Sequence, residues 1–124
     1  MHISNLKIKN TVVTQINMHE SDAKFYKYFN EILDNYTSIF ILTQEALSNG
    51  ILNNITIKNA PKIKSFILEN AEYCKSEKQL KEILNFLLMN QCNKDSLIVG
   101  IGGGSVTDIT GFVSSIYMRG IKHI

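Results

Sequence analysis

Residues 96–108 read SLIVGIGGGSVTD. A short apolar run, 96–101, has the length and composition of a strand buried on both faces. It meets three consecutive glycines, Gly102, Gly103 and Gly104. Beyond them Val106, Ile109, Val113, Ile116 and Tyr117 recur at spacings of three and four, which predicts a helix from about Ser105 to Met118. Gly120 is the expected stop, and the closing IKHI opens a further strand. A buried strand, a glycine turn and a helix form the unit from which parallel α/β sheets are built.

Working back along the chain, the same alternation recurs. Residues 62–68, KIKSFIL, follow Pro61 and read as a second buried strand. Ser76 caps the next helix with Gln79 as its capping-box partner, and Leu80, Ile83, Leu84, Leu87 and Leu88 form the expected buried face. Residues 38–42, SIFIL, are another buried strand, followed by a short helix expected to end near Gly50. Residues 22–36 carry Phe25, Tyr26, Phe29, Ile32, Leu33 and Tyr36 on one helical stripe, with Ser21 as N-cap. Residues 6–13, LKIKNTVV, alternate at first and predict a strand. The expected fold is α/β: a Rossmann-like, mostly parallel sheet with helices on both faces.

Composition limits the function classes. At 124 residues the chain has room for one domain. Its 44% hydrophobic and 19% charged content excludes a disordered chain. The net charge of +2 comes from scattered basic residues, so no nucleic-acid partner is expected. No apolar run reaches the ~18 residues of a membrane helix, so no membrane partner is expected either. The opening MHISNLKIKN lacks an apolar stretch, and the location expected is cytoplasmic. Cys74 and Cys92 form no CxxC and read as reduced thiols. His2, His19 and His123 lack metal-ligand spacing.

The glycine turn carries the chemistry. Glycine lets a ligand approach the backbone, and the helix start offers unpaired amides with partial positive charge, so the turn suits a pyrophosphate. The spacing is not GxGxxG, because Thr107 stands where the third glycine would fall. A plain βα turn, with Ser105 and Asp108 as a capping box, is the alternative. Three glycines exceed what a cap requires, which favours phosphate or dinucleotide binding. Gly111, in mid-helix, suggests close helix–strand packing. Glu72 and Lys75 follow a strand end, at the edge where open sheets bind ligands, but their spacing also fits a solvated ion pair. Arg119, by spacing alone, is a surface cation complementing a helix C-terminus.

The stretch GGGSVTDITGFVSSIYMRGI resembles 3-dehydroquinate synthase. That family carries GGG-x-x-x-D-x-x-G-F and then Y-x-R-G, matched here by Gly102–Gly104, Asp108, Gly111, Phe112 and Tyr117–Gly120. EYCKS at 72–76 resembles the family's E-x-x-K-S element. The likeness covers about 36–124 and is specific over 95–124. It implies an NAD-binding α/β domain joined to a mainly helical domain that binds a divalent metal, zinc or cobalt. It further implies conversion of 3-deoxy-D-arabino-heptulosonate 7-phosphate to 3-dehydroquinate in the shikimate pathway. In that reaction a ring alcohol is transiently oxidised with NAD, phosphate leaves by β-elimination, the hydride returns, and ring opening and aldol closure complete the sequence.

By this resemblance Gly103, Gly104, Ser105, Val106, Thr107 and Asp108 would cradle the NAD phosphates, and Glu72 and Lys75 would lie on the adenosine side. Arg119 would reach the sugar-phosphate substrate of a neighbouring subunit in a homodimer, which replaces the surface-cation reading. No catalytic or metal-ligating residue is expected in this chain, since the family's lie on its second domain. The chain ends at the opening of a strand, so residues 1–124 are expected to be one incomplete NAD-binding domain, inactive alone. Where the family has Asp after Thr at the end of its first buried strand, Gln44 follows Thr43. Ser105 is also found in iron-dependent alcohol and glycerol dehydrogenases, which carry GGGS-x-x-D, but their Lys three residues after the Asp is Gly111 here. Those dehydrogenases, other sugar-phosphate cyclases and a non-catalytic nucleotide-binding module are the alternatives.

Overall fold

The structure is a computed structural model that describes residues 2–8, 11–19, 21–59 and 62–124. It divides into two compact units, 1–32 and 33–124. In the first, β1 (His2–Ile8) and β2 (Thr11–Met18) pair antiparallel, with a register shift between Leu6 and Lys7. The expected single strand over 6–13 thus takes in the end of β1 and the start of β2. Residues 9 and 10 lie outside the described residues, and the two strands satisfy each other's backbone groups. Helix α1 (Asp22–Leu33) comes next, with Ser21 Oγ accepting from Lys24 N at 3.4 Å. Phe25 stacks on Phe29, and His19 lies against Phe25 and Tyr28.

The second unit is built on a parallel sheet ordered β4–β3–β5–β6. Its strands are β3 (Ile39–Gln44), β4 (Ile63–Leu68), β5 (Leu97–Ile101) and β6 (Lys122–His123). The connecting helices are α2 (Glu45–Asn59), α3 (Glu77–Met89) and α4 (Gly104–Ile116). The strand sides alternate with period two. Phe40, Leu42, Leu68 and Ile98 join Ile83 and Leu87 of α3 and Val106, Ile109 and Val113 of α4 in one core. Ile39, Ile41, Leu97 and Val99 are buried on the opposite side, where α2 packs on β3 and β4 with Ile55 buried. Each such side chain contributes roughly 1.5–3 kcal/mol of burial. Helices therefore cover both faces, as the sequence predicts.

Several local details depart from the pattern. Helix α2 runs through Gly50 rather than stopping there, and Asn54 Nδ2 donates to Gly50 O within it. Pro61 lies outside the described residues. Helix α3 begins as expected, with Ser76 Oγ accepting from Gln79 N at 3.1 Å, but Leu88 is 63% exposed. The buried stripe instead takes in Gln79, Ile83 and Leu87. Helix α4 ends at Ile116, itself exposed, and Tyr117–Arg119 forms a 3-10 turn. Met118, Arg119 and Gly120 have φ of 48°, 63° and 103°, so the chain reverses through three residues of positive φ before β6. Among the described residues, no helix is long and apolar enough to cross a membrane.

Candidate functional site

The order of the sheet locates a crevice. From β3 the chain crosses outward to β4, and from β5 it crosses the other way to β6, so β3 and β5 flank a switch point. Ligands of open α/β sheets bind beyond the carboxyl ends of such a pair. Here that edge carries Gln44, the turn 69–75 and the glycine turn 102–104. Thr43 Oγ1 donates to Ile101 O at 2.7 Å, tying the two strand ends together.

The four glycines of this edge do two different jobs. A methyl on Gly102 would lie 2.6 Å from Val106 Cγ2 and 2.9 Å from its Cβ, and one on Gly100 would lie 2.9 Å from Thr110 Cβ. These two are glycine because helix α4 presses on them. A methyl on Gly103 or Gly104 would meet nothing within 4 Å. The chain's own packing gives those two no reason to be glycine, and the space before them is open. Gly111 does not fulfil its expected role, since a methyl there would only touch His123 Nε2 at 3.7 Å. The close strand–helix approach is made at Gly100 and Gly102 instead.

Helix α4 opens toward this space. Gly103 is its N-cap and supplies no side chain to cap it. The amides of Val106 and Thr107 both donate to Gly103 O at 3.1 Å, while those of Gly104 and Ser105 have no acceptor among the described residues. Such amides, with the positive end of the helix dipole, suit an anion. Val106 enters the site only through its backbone, because its side chain is sealed in the core. Thr107 is exposed, and its Oγ1 donates to Gly104 O at 3.0 Å.

Beside the helix start, four charged and polar side chains meet. The 3-10 turn Ala71–Lys75 brings Glu72 and Lys75 to Ser105 and Asp108 of α4. Ser105 Oγ donates to Glu72 Oε1. Lys75 Nζ lies 2.7 Å from Asp108 Oδ2 and 3.1 Å from Glu72 Oε2. The expected ion pair is present, but as part of a cluster joining two elements. The alternative role of Ser105 as helix cap is not taken up, because its hydroxyl serves Glu72. The Ser105 hydroxyl, and then Lys75, hold the Glu72 carboxyl below the usual carboxylate range. Bonds to Asp108 and then Glu72 raise Lys75. Carboxylates and an ammonium set beside free amides can together bind a ligand that carries both hydroxyls and phosphates.

Two glutamines in this region have roles the sequence does not reveal. Gln44 Nε2 donates to Glu69 O at 2.8 Å and to Ala71 O at 3.1 Å. Gln79, 2% exposed, accepts from Glu69 N at 2.6 Å through Oε1 and donates to Glu82 Oε2. The reciprocal half of its capping box is therefore absent, and Ser76 N donates to Tyr73 O instead. The position of Gln44 at the end of β3 is the one signal that could have marked it, and Gln79 carried only its capping-box spacing. Arg119 is exposed, in left-handed backbone, at the far end of α4 from the cluster. Cys74 and Cys92 are free and buried, and burial raises both thiols. Among the described residues, no group of three or more His, Cys, Asp or Glu converges on a metal position.

Residues 65–124 match the protein family described as 3-dehydroquinate synthase N-terminal. Over that stretch the chain is similar to this family. The 3-dehydroquinate synthase of Clostridium tetani (strain Massachusetts / E88) is 36% identical over 103 residues, covering 82% of this chain and 28% of that protein. The 3-dehydroquinate synthase of Lysinibacillus sphaericus (strain C3-41) is 46% identical over 59 residues, covering 48% of this chain and 16% of its own length. This chain thus spans less than a third of the two relatives' length. A crystal structure of 2-deoxy-scyllo-inosose synthase, complexed with carbaglucose-6-phosphate, NAD+ and Co2+, shares the fold. Its TM-score is 0.68 at 14% identity, covering 79% of this chain and 28% of that one. The matched stretch holds Glu72, Lys75, the glycine turn, Asp108 and Arg119, whereas β3 with Gln44 lies before it.

Proposed function

We propose that this chain supplies the NAD-binding part of a 3-dehydroquinate synthase. The observation that carries the reading is the convergence of Glu72, Lys75, Ser105 and Asp108 beside the open space at Gly103 and Gly104. In this reading the amides of Gly104 and Ser105 take the pyrophosphate, with Val106 and Thr107 closing the helix start behind it. Glu72 and Asp108 accept from ribose hydroxyls, and Lys75 fixes both carboxylates. When bound, NAD supplies reversible acceptance of a hydride from a ring alcohol.

The full reaction is conversion of 3-deoxy-D-arabino-heptulosonate 7-phosphate to 3-dehydroquinate and phosphate, a shikimate-pathway step. The divalent metal, zinc or cobalt, and the groups that do the chemistry belong in this reading to a second domain, so these 124 residues are inactive alone. Arg119, on an exposed turn beyond α4, is assigned to the substrate phosphate of a neighbouring subunit in a homodimer. The 46% identity over 59 residues supports the synthase over the dehydrogenases, which share only part of the turn motif.

Titration calorimetry of NAD+ into the 124-residue chain tests the cofactor role. Binding is expected, and Asp108→Ala should weaken it roughly tenfold, the effect of losing one charge-assisted hydrogen bond. A folded chain without measurable NAD+ affinity, or an Asp108→Ala chain that binds equally well, refutes it. Phosphate release by a chimera with the C-terminal portion of the Clostridium tetani relative tests the reaction. A folded, NAD+-binding chimera that releases none would refute that assignment.

A further inference from the structure

The turn between β4 and the 3-10 segment is held in an unusual way. Ala71 has φ of 49°, in the left-handed region that a residue with a Cβ rarely adopts. A conformation of that kind persists only where its surroundings enforce it. The Ala71 carbonyl accepts from Gln44 Nε2 and also from Cys74 Sγ at 3.3 Å. Two residues earlier, the Glu69 carbonyl accepts from the same Gln44 amide, and the Glu69 N–H donates to buried Gln79. Both backbone groups of Glu69 and the carbonyl of Ala71 are thus bound by side chains from two other elements, the end of β3 and the first turn of α3.

The turn leads straight into the site. Glu72 is the next residue after Ala71, and Lys75 lies three further on. A change in the Ala71 backbone would swing both away from Ser105 and Asp108. Gln44 spends its side-chain amide on the turn, so it acts on Glu72 and Lys75 rather than on a ligand.

We propose that Gln44 and Gln79 are positioning residues that lock the turn 69–71 and thereby set where Glu72 and Lys75 meet the start of α4. The consequence for cofactor affinity rests on the proposed NAD-binding role. The locking itself does not.

The test uses the 124-residue chain and two readouts. Titration of the Glu72 side-chain carboxyl by carbon NMR reports whether Ser105 and Lys75 still reach it, and calorimetry reports NAD+ affinity. In the parent chain Glu72 titrates below the usual carboxylate range. In Gln44→Met it returns to that range, and NAD+ binds roughly five- to thirtyfold more weakly, as for one or two hydrogen bonds lost. Gln79→Met gives the same two changes from the other side of the turn. Gln44→Glu, equal in size but without the donor, replaces Gln44→Met should that chain not fold. A role in stability alone would lower the melting temperature and leave the Glu72 titration where it was. That result in a folded variant overturns the proposal, whatever NAD+ does. A shifted Glu72 titration in a chain that never binds NAD+ upholds the locking and refutes the cofactor reading.

Discussion

Gly102 and Gly104 sit two residues apart in one turn, and replacing each with Ala should act on opposite properties. At Gly102 the added methyl would fall 2.6 Å from Val106 Cγ2, and Val106 is fully buried in the α3–α4 core. Neither the strand end nor the helix can yield without opening that core. Such overpacking costs about 1–3 kcal/mol. At Gly104 the methyl meets nothing within 4 Å, and the residue already stands in the first turn of α4. Ala restricts the unfolded chain and favours the helix, so Gly104→Ala should gain roughly 0.4–1 kcal/mol. The same methyl would enter the space assigned to a phosphate. Losing one charge-assisted amide contact there, about 1.5–3 kcal/mol, weakens NAD+ roughly ten- to a hundredfold. Urea unfolding monitored by far-ultraviolet circular dichroism gives the stabilities, and calorimetry gives the affinities. A Gly104→Ala chain that is more stable and binds NAD+ as the parent does would show that the open space holds no phosphate. A Gly102→Ala chain as stable as the parent would refute the packing account.

Glu72 is held below the ordinary carboxylate range when folded, so its contribution is fully present above its unfolded value and is lost as pH falls through the folded one. Glu72→Gln should therefore flatten the acid limb of stability against pH in urea titrations. A limb of unchanged slope would contradict this. Lys75 is raised, so its contribution holds below its unfolded value and is lost as pH rises through the folded one. Lys75→Met should flatten the alkaline limb above about pH 10, measured in the same way. Tyr117 is buried, and its hydroxyl donates to Cys92 O at 2.9 Å. Tyr117→Phe leaves that carbonyl without its partner and should lower stability by about 1–2 kcal/mol in denaturant unfolding. Cys74 and Cys92 should resist an aromatic disulfide reagent in the native chain and both react in denaturant, and rapid native labelling of either would contradict their burial.

The parallel sheet was legible because its signal is periodic. Runs such as Ile39–Leu42 and Leu97–Val99 are apolar at every position, as a strand covered on both faces demands. Helix α4 was legible for the same reason, whereas Ser105 and Asp108, which it carries, were singled out by the glycine turn and the family resemblance. Short-range rules did less well where two of them competed. Gly50 suggests a stop, yet an isolated glycine costs only about 1 kcal/mol in a helix, and α2 continues past it. Leu88 fits the spacing of the α3 stripe, but the stripe is centred on Gln79, Ile83 and Leu87 and leaves Leu88 in solvent. Gly111 stands out in the sequence as a glycine in the middle of α4. The contact it suggests belongs to Gly100, whose place in a strand gives it no such prominence.

The glutamines show a deeper limit. A capping box can be read from residues three apart because both partners lie in one local frame. Ser76 and Gln79 have that spacing, and one of the two bonds forms. The Gln79 side chain, itself buried, instead accepts from Glu69 N, ten residues back and just past the end of β4. Gln44 likewise reaches carbonyls 25 and 27 residues ahead. What selects these partners is which backbone groups remain unsatisfied after the sheet and helices have formed, and no periodicity in the chain records that. The candidate site obeys the same division. The sequence proposes Glu72 and Ser105 as members, but that they face each other goes with a left-handed Ala71, whose carbonyl is bound by Gln44 from β3 and by Cys74 within the turn, while Gln79 from α3 binds Glu69 N two residues before it.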